Sequence, residues 1–330
     1  MTTIRDVAKH AKVSVATVSR VLNKKGYVSK EAEQAVLTSI KELKYRPNSV
    51  ARTLYHKTSG MIGLVMPDIT NPFFPELARA IEDVALTYGY TVVLCNTDEE
   101  VKKEKKYLEA LKQKYVDGII LTTSSLSLHD YHQLDIPIVA LDRVIDENIP
   151  SVVSNNKEGA RSATDHLIGN GCEFIAHIRG PVGLAPSDDR FLGFKEVVEE
   201  RGTANIVIEA DFQIDRAETV TRELLKKHPT IDGIFASSDV TAAGVMKAAH
   251  SVGKRIPEDL KVVGFDGVPI GTMLVPSLTT VAQSIYEMGA LSTRLLIKQI
   301  EKIPLDSYYY ELPTNLVVRE TTNQTEESHD

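Results

Sequence analysis

Apolar residues near the start of the chain recur at helical spacing. Ile4, Val7, Ala8 and Ala11 fall at i, i+3, i+4 and i+7, one face of a short helix. Lys12-Val13-Ser14 interrupts that stripe, and Ser14 is placed to cap a second helix. There Val18, Val21 and Leu22 point inward, leaving Val15, Ala16, Thr17, Ser19 and Arg20 outward. Two short helices across a three-residue turn predict a helix-turn-helix. Ser29, followed by Glu31 and Glu33, marks the cap and acidic first turn of a third helix. It reaches about Leu43, with Ala32, Val36, Ile40 and Leu43 inward. Pro47 closes that helix, and Asn48 or Ser49 can cap a short one ending near Leu54. A segment of that length is not stable alone, so it is expected to fold on meeting DNA and a partner copy. A plain interdomain linker is the other reading.

From Met61 the pattern changes. Short apolar runs over Met61–Met66, Tyr90–Cys95, Gly118–Leu121 and Pro137–Leu141 alternate with helical periodicity over Glu76–Tyr88 and Glu99–Lys112. The rhythm resumes after Asn155, with strands predicted over Phe174–Ile178, Ile206–Glu209, Gly233–Ala236 and Lys261–Phe265. Helices are predicted between them over 156–169, 189–201, 216–227 and 240–252. Such alternation predicts α/β architecture with parallel sheets. An internal echo points to two equivalent halves: Val116-Asp-Gly-Ile-Ile-Leu-Thr-Thr-Ser124 and Ile231-Asp-Gly-Ile-Phe-Ala-Ser-Ser238 each follow a Lys-rich helix end. Two doubly wound lobes bind ligands in the crevice between the carboxyl ends of their strands.

Charge separates the same two regions. Residues 1–57 carry 12 Lys and Arg against 4 Asp and Glu, while the remainder carries 26 against 41. A small basic module gains affinity for DNA by counterion release, and an acidic body repels it. The whole-chain net of −7 conceals this. No apolar run approaches the roughly 20 residues of a membrane span, and the first residues lack a signal-peptide core. The two cysteines, Cys95 and Cys172, have no metal-ligand spacing and are expected to be buried free thiols in the cytoplasm. No Gly-x-Gly-x-x-Gly follows a strand, and no Walker loop, Ser-His-Asp set or carboxylate pair presents itself. An enzyme is not expected, and neither a cofactor nor a metal.

The outward face of the second helix suits DNA. Arg20 can donate two hydrogen bonds to a guanine edge, and Val15 and Ala16 fit against thymine methyl groups. Ser14, Thr17, Ser19 and Asn23 are short donors for phosphate oxygens, which position without reading sequence. Three segments then carry a resemblance: Thr3-Ile-Arg-Asp-Val-Ala8, Val13-Ser-Val-Ala-Thr-Val-Ser-Arg-Val-Leu-Asn23 and Tyr45-Arg-Pro-Asn-Ser-Val-Ala-Arg-Thr-Leu54. They are similar to the LacI/GalR family of bacterial repressors. The resemblance implies a homodimer on palindromic operator DNA, with Val15, Ala16 and Arg20 reading bases. It adds Thr3 and Ser29 to the DNA-facing set. Asn48 and Ala51 then lie in a hinge helix in the minor groove, with Leu54 wedged into a central C–G step.

The body resembles periplasmic sugar-binding proteins, which implies an all-α helix-turn-helix headpiece on a two-lobed, parallel-sheet body with crossovers near residues 155, 283 and 314. The expected divisions are 1–45 for the headpiece and 46–58 for the hinge. Residues 59–154 with 284–313 form the N-terminal lobe, and 155–283 with 314–330 the C-terminal lobe. Residues at the predicted strand ends suit a small polyol. Planar charged groups satisfy vicinal hydroxyls and aromatic faces cover C–H surfaces. Asp142 and Asp266 can accept from hydroxyl pairs, Arg143 and Arg190 can donate, and Phe73, Phe74 and Phe212 can sandwich the ring.

Singly, each has another reading: helix-start core for Phe73 and Phe74, structural ion pairs for Asp142–Arg143 and Arg190, a turn cap for Asp266. As a set, Asn71, Phe73, Phe74, Asp142, Arg143, Arg190, Phe212, Asp266 and Gln283 match in order the pocket pattern of ribose-binding proteins. The likeness is greatest to the ribose-responsive repressors of Gram-positive bacteria, and implies D-ribose or a related pentose as effector. Ser238 departs from the pattern, where Asn is usual, and is expected to leave a water-sized gap or lose a hydroxyl contact.

Two further readings stay within the family: a phosphorylated sugar or purine as effector, which Asp142, Asp188, Asp189 and Asp266 oppose, and a phosphoprotein co-repressor on helix 286–301 through Arg294 and Lys298. The polar tail from Thr321 is expected to be disordered, giving dimers rather than zipper-linked tetramers.

Overall fold

The computed structural model describes residues 2–23, 26–45, 58–123 and 126–323. The chain forms two compact units, Met1–Ser59 and Gly60–Asp330. In the first, α1 (Ile4–His10), α2 (Val15–Asn23) and α3 (Lys30–Glu42) close on Val7, Ala8, Ala11, Val18 and Val36. Each helix begins at a hydroxyl. Thr3 and Asp6 form a reciprocal capping box, Ser14 Oγ accepts from the Thr17 amide at 3.1 Å, and Ser29 Oγ accepts from the Ala32 amide at 3.3 Å. The inward face of α3 holds three of the four expected residues. Ala32 sits half-buried outside the core, and Ala35 packs with Val36, Ile40 and Leu43 instead. The Ser39 hydroxyl is tolerated there because it bonds the Ala35 carbonyl and the His10 ring. The expected hinge residues Asn48, Ala51 and Leu54 lie outside the described residues.

The second unit holds twelve strands: β1 (Met61–Met66), β2 (Thr91–Asn96), β3 (Gly118–Leu121), β4 (Ile138–Leu141), β5 (Ser151–Ser154), β6 (Phe174–Arg179), β7 (Ala204–Glu209), β8 (Gly233–Ala236), β9 (Lys261–Asp266), β10 (Thr279–Gln283), β11 (Tyr309–Leu312) and β12 (Thr314–Val317) among the described residues. They form two six-stranded sheets, ordered β11-β5-β4-β3-β1-β2 and β12-β10-β9-β8-β6-β7. Helices α4 (Phe73–Thr87), α5 (Val101–Gln113), α6 (Leu128–His132), α7 (Asn156–Gly169), α8 (Ala185–Arg201), α9 (Ile214–Lys227), α10 (Asp239–Ser251), α11 (Ile270–Met273) and α12 (Ile285–Ile300) follow the strands. Both faces of each sheet are covered, which is why the strands read as continuous apolar runs. In the first lobe Leu64 and Met66 meet Leu77 and Ile81 of α4 and Leu296 of α12, while Val65 and Leu121 meet Leu108 and Leu111 of α5.

The chain passes from the first sheet to the second after β5, returns after β10, and passes again between β11 and β12. One strand departs from the expected parallel arrangement: β12 runs antiparallel to β10, whereas β11 is parallel to β5. Only Pro313 separates β11 from β12, so the chain leaves one sheet at its carboxyl edge and enters the other at its carboxyl edge. A direct run across the crevice must therefore oppose the second sheet. No helix among the described residues is long and apolar enough to cross a membrane. Cys95 and Cys172 are free and buried, and burial pushes their thiols up to about 11 and about 12.

Candidate functional site

The carboxyl edges of the two sheets of the body enclose a cavity of about 390 Å³. From the first lobe, Asn71, Phe73 and Phe74 follow β1, Asp98 and Glu99 follow β2, and Asp142 and Arg143 follow β4. From the second come Pro181 after β6, Pro186 and Arg190 on α8, Asp211 and Phe212 after β7, Asp266 closing β9 and Gln283 closing β10. Nine of the ten residues singled out in the sequence thus line one space.

Local structure aims each of them. Asn71 Oδ1 accepts from the Phe73 amide at 3.1 Å, starting α4 so that Phe73 and Phe74 stand edge to face, centroids 5.2 Å apart. Arg190 is buried and fixed from several directions. It donates to Asn156 Oδ1 (2.8 Å) and to the Ser237 carbonyl (2.6 Å), pairs with Asp266 (3.2 Å), and lies 3.8 Å from the centroid of the Phe265 ring. Gln283 Nε2 donates to Asp266 Oδ1 at 2.8 Å. Phe212 fits against Gly180, where a Cβ would stand 2.6 Å from the ring.

The electrostatics are those of buried carboxylates held against guanidinium groups. Burial pushes Asp266 up to about 6, opposed by Arg190 and Gln283. Burial also raises Asp142, with Arg190 and Arg143 pulling it down, and lowers Arg143 against the pull of Asp142. Two acceptors, Asp142 Oδ1 and Gln283 Oε1, are shielded from solvent and have no hydrogen-bond partner among the described residues. Buried acceptors of this kind cost about 1–3 kcal/mol each when unmet, so a ligand presenting hydroxyls gains by meeting them.

Ser238 is not brought to the cavity. Its hydroxyl caps α10, accepting from the Thr241 amide at 3.0 Å and pairing with the Thr241 hydroxyl at 2.9 Å. The expected gap or lost contact therefore has no place in the cavity wall, because the side chain is spent on its own helix. Sequence reasoning passed over Asp98, Glu99, Pro181, Pro186 and Asp211, all of which line the cavity. Each follows the carboxyl end of a strand or begins the next helix, the rule that selected Asn71 and Asp142.

In the headpiece, α2 exposes Val15, Ala16 and Arg20, with Thr17 and Ser19 half-buried. Thr3 and Ser29 spend their hydroxyls on helix caps, and Ser14 Oγ also meets Thr17 Oγ1 at 2.9 Å. Asn23 closes α2.

Residues 59–326 match the family of periplasmic binding proteins and the sugar-binding domain of the LacI family, and residues 3–48 match the bacterial regulatory proteins of the lacI family. The chain is 75% identical to the ribose operon repressor of Halalkalibacterium halodurans, over 99% of each chain. It is similar to the lac repressor dimer bound to operator and an anti-inducer, with TM-score 0.87, 27% identity, and coverage of 97% of this chain and 99% of that one. A LacI family regulator from Enterococcus faecium with bound ribose matches 79% of this chain and 98% of its own, with TM-score 0.73 and 30% identity. With headpiece and body both matched, the chain belongs to the LacI family of bacterial transcriptional regulators.

Proposed function

We propose that this chain is a sequence-specific repressor of ribose-utilisation genes, released from a palindromic operator when D-ribose or a related pentose binds between the lobes. The observation that carries the effector is the pair of unmet acceptors, Asp142 Oδ1 and Gln283 Oε1, in a cavity that also holds two guanidinium groups and three phenyl rings. A pentose offers hydroxyls to the first two and C–H faces to the rings. The relatives' printed functions support the same reading.

The protein acts as a regulator, without catalysis or cofactor. Residues 1–45 bind DNA, 46–58 form the hinge, and the lobes divide at residues 155, 284 and 314. Val15, Ala16 and Arg20 read bases, while Ser14, Thr17, Ser19 and Asn23 meet phosphates, and Thr3 and Ser29 face the DNA at the helix caps. Asn48, Ala51 and Leu54 enter the minor groove of a homodimer's operator. Sugar shifts this equilibrium only through its differential affinity for the two states. A coupling of about 2–3 kcal/mol changes operator affinity roughly 30- to 150-fold.

Calorimetric titration with D-ribose, ribose 5-phosphate and a purine base tests the effector. Saturable heat with D-ribose alone supports it; heat with another of the three moves the reading to that ligand. Operator retention in a gel, with and without D-ribose, tests release. Unchanged retention at saturating sugar discards it.

A further inference from the structure

Asp239 is fully buried at the start of α10 and does not line the cavity. Its carboxylate nevertheless gathers three donors. Oδ2 accepts from the amides of Gly267 (2.9 Å) and Val268 (2.8 Å), and Oδ1 accepts from the Thr280 hydroxyl (2.5 Å). Gly267 and Val268 form the turn directly after Asp266, and Thr280 stands on the adjoining strand β10.

That turn needs holding. Asp266 has φ of 107° and Gly267 has φ of 79°, two successive positions outside the ordinary range of an L side chain. Nothing in the local sequence favours an aspartate there, so the surroundings must over-determine it. The turn is also wedged against β10, since a Cβ on Gly267 would lie 2.6 Å from the Ala282 side chain. We infer that Asp239 is a positioning residue for effector binding, clamping the turn so that Asp266 is presented to the cavity beside Arg190 and Gln283. The inference rests on reading that cavity as the effector site. The charged and polar groups facing Asp266 are Arg190 on α8, Gln283 on β10, Asp142 from the opposite lobe and Asp239 itself on α10.

The test uses the full chain and the variants Asp239→Ala and Thr280→Val. Alanine removes both oxygens, so Asp239→Ala releases the turn and Thr280 together. Calorimetry with D-ribose at pH 7.5 is expected to show affinity at least tenfold weaker in Asp239→Ala and severalfold weaker in Thr280→Val. Amide exchange read by NMR without ligand is expected to quicken at least tenfold at Gly267 and Val268, with Val262 on β9 unchanged. Affinity within twofold of the parent overturns the inference. So does lost affinity with exchange raised throughout the sheet, which marks a general loss of stability. If the parent gives no heat with D-ribose, the effector reading falls, and the exchange rates at Gly267 and Val268 alone decide the clamp.

Discussion

Asp142 and Asp266 reach the same cavity from opposite lobes, and each does so with a backbone φ that favours glycine, 62° and 107°. Such conformations cost on the order of 1–3 kcal/mol each and persist where the surroundings impose them. The gain is directional: each carboxylate leaves its strand end turned toward the crevice. Asp142→Asn and Asp266→Asn each replace a charged acceptor. Since hydrogen bonds to charged groups are worth about 1.5–3 kcal/mol, each is expected to weaken D-ribose by tenfold or more. Calorimetry with either variant inside threefold of the parent would remove that carboxylate from the binding set.

Acidity acts on the empty and the filled body with opposite signs. Asp266 titrates at about 6 in the fold against an ordinary 3.8, so between those values the folded chain holds a proton the unfolded chain has released. Its contribution to stability is present at low pH and falls as pH rises through that window. With D-ribose as the proposed effector meeting the ionised acceptor, affinity is expected to rise across the same window. Chemical denaturation without sugar and calorimetry with it, both at pH 5 and pH 7.5, read the two trends. An Asp266→Asn protein should lose the rise in affinity and the part of the stability trend that Asp266 carries, with the buried Asp239 and His177 keeping their own contributions.

Gly180 shapes one wall. An added Cβ would meet the Phe212 ring at 2.6 Å and Ser187 Oγ at 3.1 Å. Phe212 is only half-buried, so the ring yields before the core does. Gly180→Ala is expected to lower D-ribose affinity about tenfold, an overpacking cost of about 1–3 kcal/mol expressed at the site. A thermal melt should stay close to the parent's. A large drop in melting temperature with intact binding would place the strain in the fold instead.

Arg20 is exposed on α2 and stands outside the headpiece core, and we assign it to the DNA face. Arg20→Ala is expected to cost about 1–3 kcal/mol on the preferred operator and to relax the preference at one base pair of each half-site. Selection from random duplexes with parent and variant shows this directly. A uniform loss over all sequences would make Arg20 a phosphate contact.

The repeated strand and helix of the body were legible because doubly covered strands are apolar on both faces, as in Met61–Met66 and Gly233–Ala236. Strands β5, β10, β11 and β12 were not. Ser151-Val-Val-Ser154 and Thr279-Thr-Val-Ala-Gln283 are short and polar at their ends, and each takes one neighbour from later in the chain, β11 beside β5 and β12 beside β10. In the cavity, aromatic, arginine and aspartate residues at strand ends announced themselves by chemical type. Ser238 did not fail on chemistry, for its hydroxyl was simply claimed by its own helix. Asp239, one residue further, was passed over because its partners lie 28 and more positions away, a relation no local pattern carries.

The consecutive strands β11 and β12 have a consequence for synthesis. Each lobe receives an edge strand from the stretch Tyr309–Val317, the first through β5 and the second through β10. On the ribosome, neither sheet can be completed until that stretch has emerged, although most of both sheets was made long before. A headpiece folds early while the effector domain waits, its unfinished edges open to other chains. A nascent chain stopped before Tyr309 should therefore bind chaperones and lack sugar affinity, and the next few residues out of the tunnel decide both lobes together.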